Sequence, residues 1–403
     1  MMDYEKGIEI MMNALKGFHG RFKKMYGQAA MRLDDSTYLM TEGNYPLSGI
    51  SEDGIVVCDI NSDGIGEIFR SMKDVNALIV GCSQDTVAVS ERKEPLPVTL
   101  EDLAHLTGPE LMIIPDASPA SIIRGLKDSS VCLISGTGAL AVGSNLRKAV
   151  AGAQIVEKAC EAEVHGSLLG GTVTLPTDAA AKCRKDFVTD YVNRNESADV
   201  AHVAYMGFDE AEFALRSQLI EYGKDLVRHD LAYGSWGNLS VRINEEEMLI
   251  TPSSIDYFEI KPEDLVRINI STLDYGSQRI PSTFTGVHAA LYREFPDCSA
   301  VIHTHSNAMS VFAACRAGFK IKEPDMNALI GDVLVTDPFI PGTPESVATI
   351  IETMRETHAA VIPNHGAIFT GPSLDVVFAI AEAVEIRARN LLGFDSRPDD
   401  DEQ

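Results

Sequence analysis

Basic side chains are scarce in this 403-residue chain: 34 lysines and arginines stand against 59 aspartates and glutamates, a net charge of −25. A surface this acidic is repelled by nucleic-acid phosphates and anionic lipids unless a basic patch intervenes. No dense basic run exists; Arg21, Lys23 and Lys24 come nearest and read as the wet face of a helix. Neither nucleic acid nor a membrane is an expected partner. Long apolar runs are missing too. None reaches 18 residues, and the best, 131–143, is broken by Ser135, Gly136, Thr137 and Gly138, so no transmembrane helix is expected. Asp3, Glu5 and Glu9 interrupt the first residues, unlike a secretory signal. The 7 cysteines are odd in number and form no CxxC pair. They read as idle thiols of a cytoplasmic protein rather than a disulfide framework.

What is present is globular: 45% hydrophobic and 23% charged residues, ordinary values for a folded chain. At roughly 100–200 residues per domain, the length provides for two or three domains.

The chain also repeats itself. Residues 38–41 (YLMT) match 248–251 (MLIT), and 54–60 (GIVVCDI) match 264–270 (DLVRINI), both at an offset of 210. Residues 77–83 (ALIVGCS) match 300–306 (AVIHTHS) at an offset of 223. Then 119–122 (PASI) match 344–347 (PESV) at 225, and 138–143 (GALAVG) match 366–371 (GAIFTG) at 228. The last match runs on through Leu146 and Leu374 to Glu157 and Glu385. Each string alone recurs by chance, but all are collinear and the offset only grows. They imply a tandem duplication of one domain of about 190 residues.

Expected domains are 1–197 and 205–394, joined by a polar linker at 193–198 and followed by a disordered acidic tail, 395–403. Each half reads as an opening amphipathic helix (4–26 and 209–230), short strands, and a long closing helix (146–168 and 374–392). In the second half the strands fall at 241–251, 265–270, 300–305, 332–337 and 359–363. Residues 177–192 have helical spacing after Pro176.

His303 and His305 end a strand-like apolar run. Residues i and i+2 of a strand project to one face, and two imidazoles so placed suit Zn²⁺ or a similar divalent ion. His365 follows another apolar strand and supplies a third ligand. Three protein ligands with one open position describe a catalytic zinc site; the alternative is an incidental pair of histidines at a loop mouth. In the first half these places hold Val80, Cys82 and Thr137. All three differ together while the apolar frame persists, as expected for residues serving one metal. One ion per chain is therefore expected.

The second half resembles the class II aldolase/adducin family, typified by zinc-dependent L-fuculose-1-phosphate aldolases. The resemblance rests on 234–242 (GSWGNLSVR), 249–254 (LITPSS), 281–283 (PST), 303–305 (HTH) and 364–366 (NHG), in family order over 205–394. The first half resembles a degenerate copy. The resemblance implies two tandem α/β/α layered domains, each around a mainly antiparallel sheet. It implies zinc on His303, His305 and His365. It also implies a substrate-phosphate site from Gly237, Asn238, Ser253, Ser254, Ser282 and Thr283, where small side chains beside a glycine let the backbone approach an oxyanion. Taken singly, Gly237-Asn238 also reads as a turn and Ser253-Ser254 as a helix cap.

The chain departs from the family in two places. The family aldolases carry a proton-shuttling glutamate after Pro-Ser-Ser/Thr; this chain has Phe284, which binds no metal and moves no proton. The family's tyrosine acid belongs to the segment matching 322–331, where no tyrosine occurs and Asp325 aligns. The implied activity is a metal-dependent carbon–carbon lyase on a small hydroxy-carbonyl substrate, a sugar phosphate being the family default, by aldol or decarboxylation chemistry. The alternative is a metal-binding, non-catalytic adducin-like protein. The resemblance further implies assembly about a fourfold axis, so a homodimer or higher even homo-oligomer is expected, with Asp102 and His105 of the first half candidates to complete a neighbouring site.

Overall fold

The computed structural model describes residues 4–18, 22–23, 25–191, 208–276, 279–339 and 343–394. The expected linker and tail, and with them the 197/205 boundary, lie outside the described residues. The chain forms two compact units: Met1–Val164 with Thr174–Lys185, and His165–Val173 with Asp186–Gln403.

The second unit is built on a seven-stranded sheet. Its order is Val266–Asn269, Glu247–Ile250, Asn238–Arg242, Ala300–Thr304, Gly366–Gly371, Ala359–Ile362, Leu334–Val335. Only the last pair is parallel. Helices Thr285–Glu294 and Pro344–Met354 cover one face, where Phe284, Leu291, Tyr292, Ile350 and Met354 bury against Met248, Val301 and Ile368. Helices Glu210–Arg228, Asn307–Ala314 and Leu374–Leu392 cover the other. The closing helix shows why it forms. Ser373 caps its first turn through Val376 N–H, and Leu374, Val377, Ile380, Ala381, Val384, Ala388 and Leu392 recur every three or four residues as its buried stripe. Gly393, at φ 69°, ends it.

The first unit repeats this plan. Its sheet runs Ile55–Asp59, Thr37–Thr41, Tyr26–Arg32, Ala77–Cys82, Gly138–Gly143, Val131–Ile134, Ile113–Ile114, with Tyr45–Pro46 paired beside Tyr26–Arg32. Register agrees strand by strand. Ala30 faces Met40 and Leu78, as Ser240 faces Ile250 and Val301. Val80 faces Leu140, as His303 faces Ile368. The sequence offsets of 210, 223 and 228 are therefore spatial equivalences. Buried ties recur as well. Arg32 donates to the Phe69 carbonyl and Arg242 to the Tyr292 carbonyl, while Arg70 and Arg293 donate to the carbonyls of Ile60 and Ile270.

Several element boundaries differ from expectation. The opening helix is Tyr4–Leu15, not 4–26; Tyr26 already begins a strand. The strand expected at 241–251 is a hairpin, because Asn244 Oδ1 accepts the N–H groups of Glu246 and Glu247 and reverses the chain. The strand expected at 332–337 shrinks to Leu334–Val335. The helix expected at 146–168 stops at His165 and continues as a 3₁₀ turn, Gly166–Leu169. The helix expected at 177–192 is Thr177–Asp186 followed by a π turn, Phe187–Tyr191. Among the described residues, no helix is long and apolar enough to cross a membrane.

Candidate metal and substrate site

His303 is the penultimate residue of Ala300–Thr304, and His305 lies just past its end. His365 sits in the tight connection between Ala359–Ile362 and Gly366–Gly371, after Asn364 at φ 59°. The three ring centroids are 4.7, 4.9 and 4.8 Å apart, and one nitrogen from each ring lies within 4.8 Å of the others. All three histidines are buried.

Their chemistry fits a divalent ion. His303 Nδ1 meets the Ala367 carbonyl at 2.9 Å. A carbonyl only accepts, so Nδ1 carries the hydrogen and Nε2 presents its lone pair. That lone pair meets His365 Nε2 at 3.0 Å, where it accepts a hydrogen bond and where a divalent cation would take the proton's place. Burial first, then the His305 and His365 charges, holds His303 well below the usual imidazole range. The neutral form, which ligates metal, is thereby favoured.

Gly366 is required by the packing. A Cβ there would lie 2.2 Å from the Thr304 carbonyl oxygen, between the two histidines of the strand. Gly366→Ala is expected to displace His365 and lower metal affinity by about 10–100-fold. Equilibrium dialysis against zinc with buffered chelator checks this.

Of the expected substrate residues, Gly237 and Asn238 lie beside His303, and the two serine segments pair with each other just ahead of Phe284. Asn238 pairs with His303 across the sheet. Ser253 N–H donates to the Ile280 carbonyl and Ser282 N–H to the Thr251 carbonyl, which sets Ser253 and Ser254 against Ser282 and Thr283. Gly237, at φ 84°, passes so close to the His303 carbonyl that a Cβ would stand 2.9 Å from it. Ser254 adopts φ 61°, a conformation costly for a non-glycine residue and common at ligand sites. Asn238 is 6% exposed, yet its Oδ1 has no hydrogen-bond partner. An unsatisfied buried amide oxygen costs about 1–3 kcal/mol, a cost that a hydroxyl or other N–H/O–H donor would offset and an acceptor-only phosphate oxygen would not.

Phe284, expected at the family's glutamate position, stands at the start of Thr285–Glu294. Its ring lies on His303 at 4.3 Å and 7° and against His365 at 5.2 Å. Asp325 is exposed, in the first turn of Pro324–Ile330. Asp102 is not available as a donor to a neighbour: its carboxylate is fully buried in an ion pair with Lys158.

Sequence reasoning passed over three polar residues beneath the site. Ser240 Oγ is 2.7 Å from both His288 Nδ1 and Tyr292 OH, and all are fully enclosed. The signal was present as a histidine and a tyrosine four apart on one helix. Burial pushes His288 down to about 3 from 6.5. The unfolded chain thus binds a proton below pH 6.5 that the folded chain refuses, so stability falls as pH falls from 6.5 toward 3. His288→Ile is expected to remove about 1.4 kcal/mol per pH unit of that loss, read as a shallower acid limb in denaturant titrations of the metal-free chain.

The first unit keeps Val80, Cys82 and Thr137 at the histidine positions and Gln28 at that of Asn238. It also holds three buried carboxylates, Asp85, Glu157 and Glu161, within ligating reach of one another. Glu157 accepts from Ser83 Oγ at the start of Gln84–Ser90, and its equivalent, Glu385, accepts the Ala308 and Met309 N–H groups at the start of Asn307–Ala314. These two glutamates secure matching helix starts.

The layered α/β/α domain is present twice, and the second copy carries the histidine cluster. The family described as class II aldolase and adducin N-terminal domain matches residues 12–164 and again 217–392; the chain belongs to that family. A 5-deoxy-D-ribulose 1-phosphate aldolase of Bacillus thuringiensis serovar kurstaki is 30% identical over 179 residues, covering 43% of this chain and 82% of that protein. A 3-oxo-tetronate 4-phosphate decarboxylase of Pectobacterium atrosepticum is 25% identical, covering 44% and 84%. A solved L-fuculose 1-phosphate aldolase is 34% identical with a TM-score of 0.42, covering 46% of this chain and 89% of its own.

Proposed function

We propose that the second unit is a divalent-metal-dependent carbon–carbon lyase acting on a small phosphorylated hydroxy-carbonyl substrate, a 3-oxo acid where the reaction is decarboxylation. The observation that carries this reading is the buried cluster of His303, His305 and His365, one nitrogen of each lying within 4.8 Å of the others. His303, His305 and His365 would hold the ion, with Zn²⁺ the best match to three imidazoles. Bound there, it supplies a Lewis acid for the electrons released on C–C cleavage. Asn238, Ser253, Ser254, Ser282 and Thr283 would hold the phosphate through hydroxyl, amide and backbone donors, with Gly237 giving the backbone close access. The named relatives act on phosphorylated substrates, one by aldol cleavage and one by decarboxylation.

Phe284 favours decarboxylation. Retro-aldol cleavage needs a base to take a substrate hydroxyl proton; loss of CO₂ does not. The phenyl ring stacked on His303 supplies no base. The same reading makes the chain a cytoplasmic, even-numbered homo-oligomer with reduced thiols. The experiment is a screen of the zinc-loaded chain with dihydroxyacetone phosphate plus short aldehydes, and with phosphorylated 3-oxo hydroxy-acids, whose carbonyl takes up the electrons left by the departing carboxylate, for CO₂ release. CO₂ release supports the favoured reaction and aldol formation the other. Silence in both arms, with metal bound, supports the non-catalytic adducin-like reading.

A further inference from the structure

The duplication supplies an internal control. Both units share the fold and register, so a feature common to both serves the fold, and a feature lost with the histidines serves the site. Arg32 and Arg242 make the same carbonyl contact, and Glu157 and Glu385 both secure helix starts. These belong to the fold. The buried trio Ser240, His288 and Tyr292 behaves otherwise. By the same offsets, its places in the first unit hold Ala30, Ile65 and Phe69. Ala30 and Phe69 lie in the first unit's apolar core, and Ile65 packs against it. The first unit therefore fills all three places with apolar side chains, and the nearby Tyr38 on Phe69 sends its hydroxyl to Ser62 instead. Burying three polar side chains is the costlier solution. His288 Nε2 is enclosed without a hydrogen-bond partner, which adds to that cost.

The trio spans the two arms of the candidate site. Ser240 is two residues from Asn238 on one strand, so both side chains face the same side of the sheet. His288 lies one turn below Phe284, its N–H donating to the Phe284 carbonyl at 3.0 Å, and Tyr292 lies one turn further. Ser240 Oγ thus grips two successive turns of the helix whose start carries Ser282, Thr283 and Phe284. In the first unit the equivalent helix begins only at Ile65, so no such start needs holding.

We propose that Ser240, His288 and Tyr292 are a positioning network that fixes the helix start bearing Ser282, Thr283 and Phe284 against the strand bearing Asn238 and beside His303. The proposal rests on the metal and phosphate reading of the site given above. Pairwise apolar packing tolerates small slips; two short hydrogen bonds to one hydroxyl define a position.

The test transplants the first unit's residues into the full-length chain as Ser240→Ala, His288→Ile and Tyr292→Phe together. The Co²⁺-loaded chain reports the geometry of the histidine ligands by its visible absorption, with no substrate needed. Above the imidazole titration range the unfolding midpoint is expected to hold, as is the metal content. The cobalt bands are expected to shift, and affinity for dihydroxyacetone phosphate to fall about tenfold. Tyr292→Phe alone removes a single hydroxyl and is expected to move both readouts the same way, should the triple variant not fold. Parent-like cobalt bands and affinity in a folded variant would overturn the proposal. So would a lowered midpoint with parent-like bands, which marks a fold device. A parent chain that binds no dihydroxyacetone phosphate refutes the phosphate reading, and the cobalt bands then decide the network by themselves.

Discussion

Replacing His303 or His365 by alanine is expected to take the chain from about one divalent ion per polypeptide to none after dialysis. Two ligands remain in either variant, and affinity falls by more than the roughly 10–100-fold seen on losing an outer contact. The stability readout is asymmetric. In the metal-free parent, His303 Nε2 and His365 Nε2 share a hydrogen bond at 3.0 Å, so His365→Ala costs about the 0.5–1.5 kcal/mol of one hydrogen bond. In the loaded parent the same change removes a bond. The metal-induced rise in midpoint should therefore collapse in His365→Ala. His303→Ala should also lower the metal-free midpoint, because Phe284 loses the ring on which it stacks. Elemental analysis and calorimetry with and without zinc check both. About two ions per chain would overturn the expectation of a single site and point to metal in the first unit. A negligible content that zinc does not raise would sink the metal reading.

The site was more legible in the sequence than the helix ends were. Alternation placed His303 and His305 on one side because a strand has a period of two, and their rings do meet. His365 came from its place before Gly366, and the close approach of Gly366 to Thr304 explains why that pair occurs together. The repeat was legible because short apolar strings keep their order, and the matched register shows that they are matched strands. The end of the opening helix was not legible. Tyr26–Arg32 is rich in Ala, Gly and Gln, weak strand formers, and becomes a strand by pairing with Ala77–Cys82. The hairpin at Asn244 was hidden because its turn contains no glycine; an asparagine side chain makes it. The trio of Ser240, His288 and Tyr292 needed the register. Only when Ala30, Ile65 and Phe69 are set beside it does a buried polar cluster read as a choice.

Phe284→Glu is expected to change stability and chemistry in opposite senses. Phe284 is 7% exposed and packs in the apolar cluster with Val287 and Ile368. A carboxylate there loses the His303 stack and is buried without a cation in the metal-free chain. A loss of about 2–4 kcal/mol is expected, from those two causes together. Zinc reverses the sign of the local electrostatics, since an anion beside a divalent ion is stabilised. The variant should therefore gain more stability from zinc than the parent does. Its carboxylate also supplies the base that retro-aldol cleavage needs, and general base catalysis contributes about 100-fold or more. Release of dihydroxyacetone phosphate from a ketose 1-phosphate should appear in Phe284→Glu above the parent rate, while any CO₂ release by the parent should not rise in step. A parent that already cleaves sugar phosphates as fast as the variant would place the base on another residue. In that case the stack of Phe284 on His303 would shape the site without choosing its reaction.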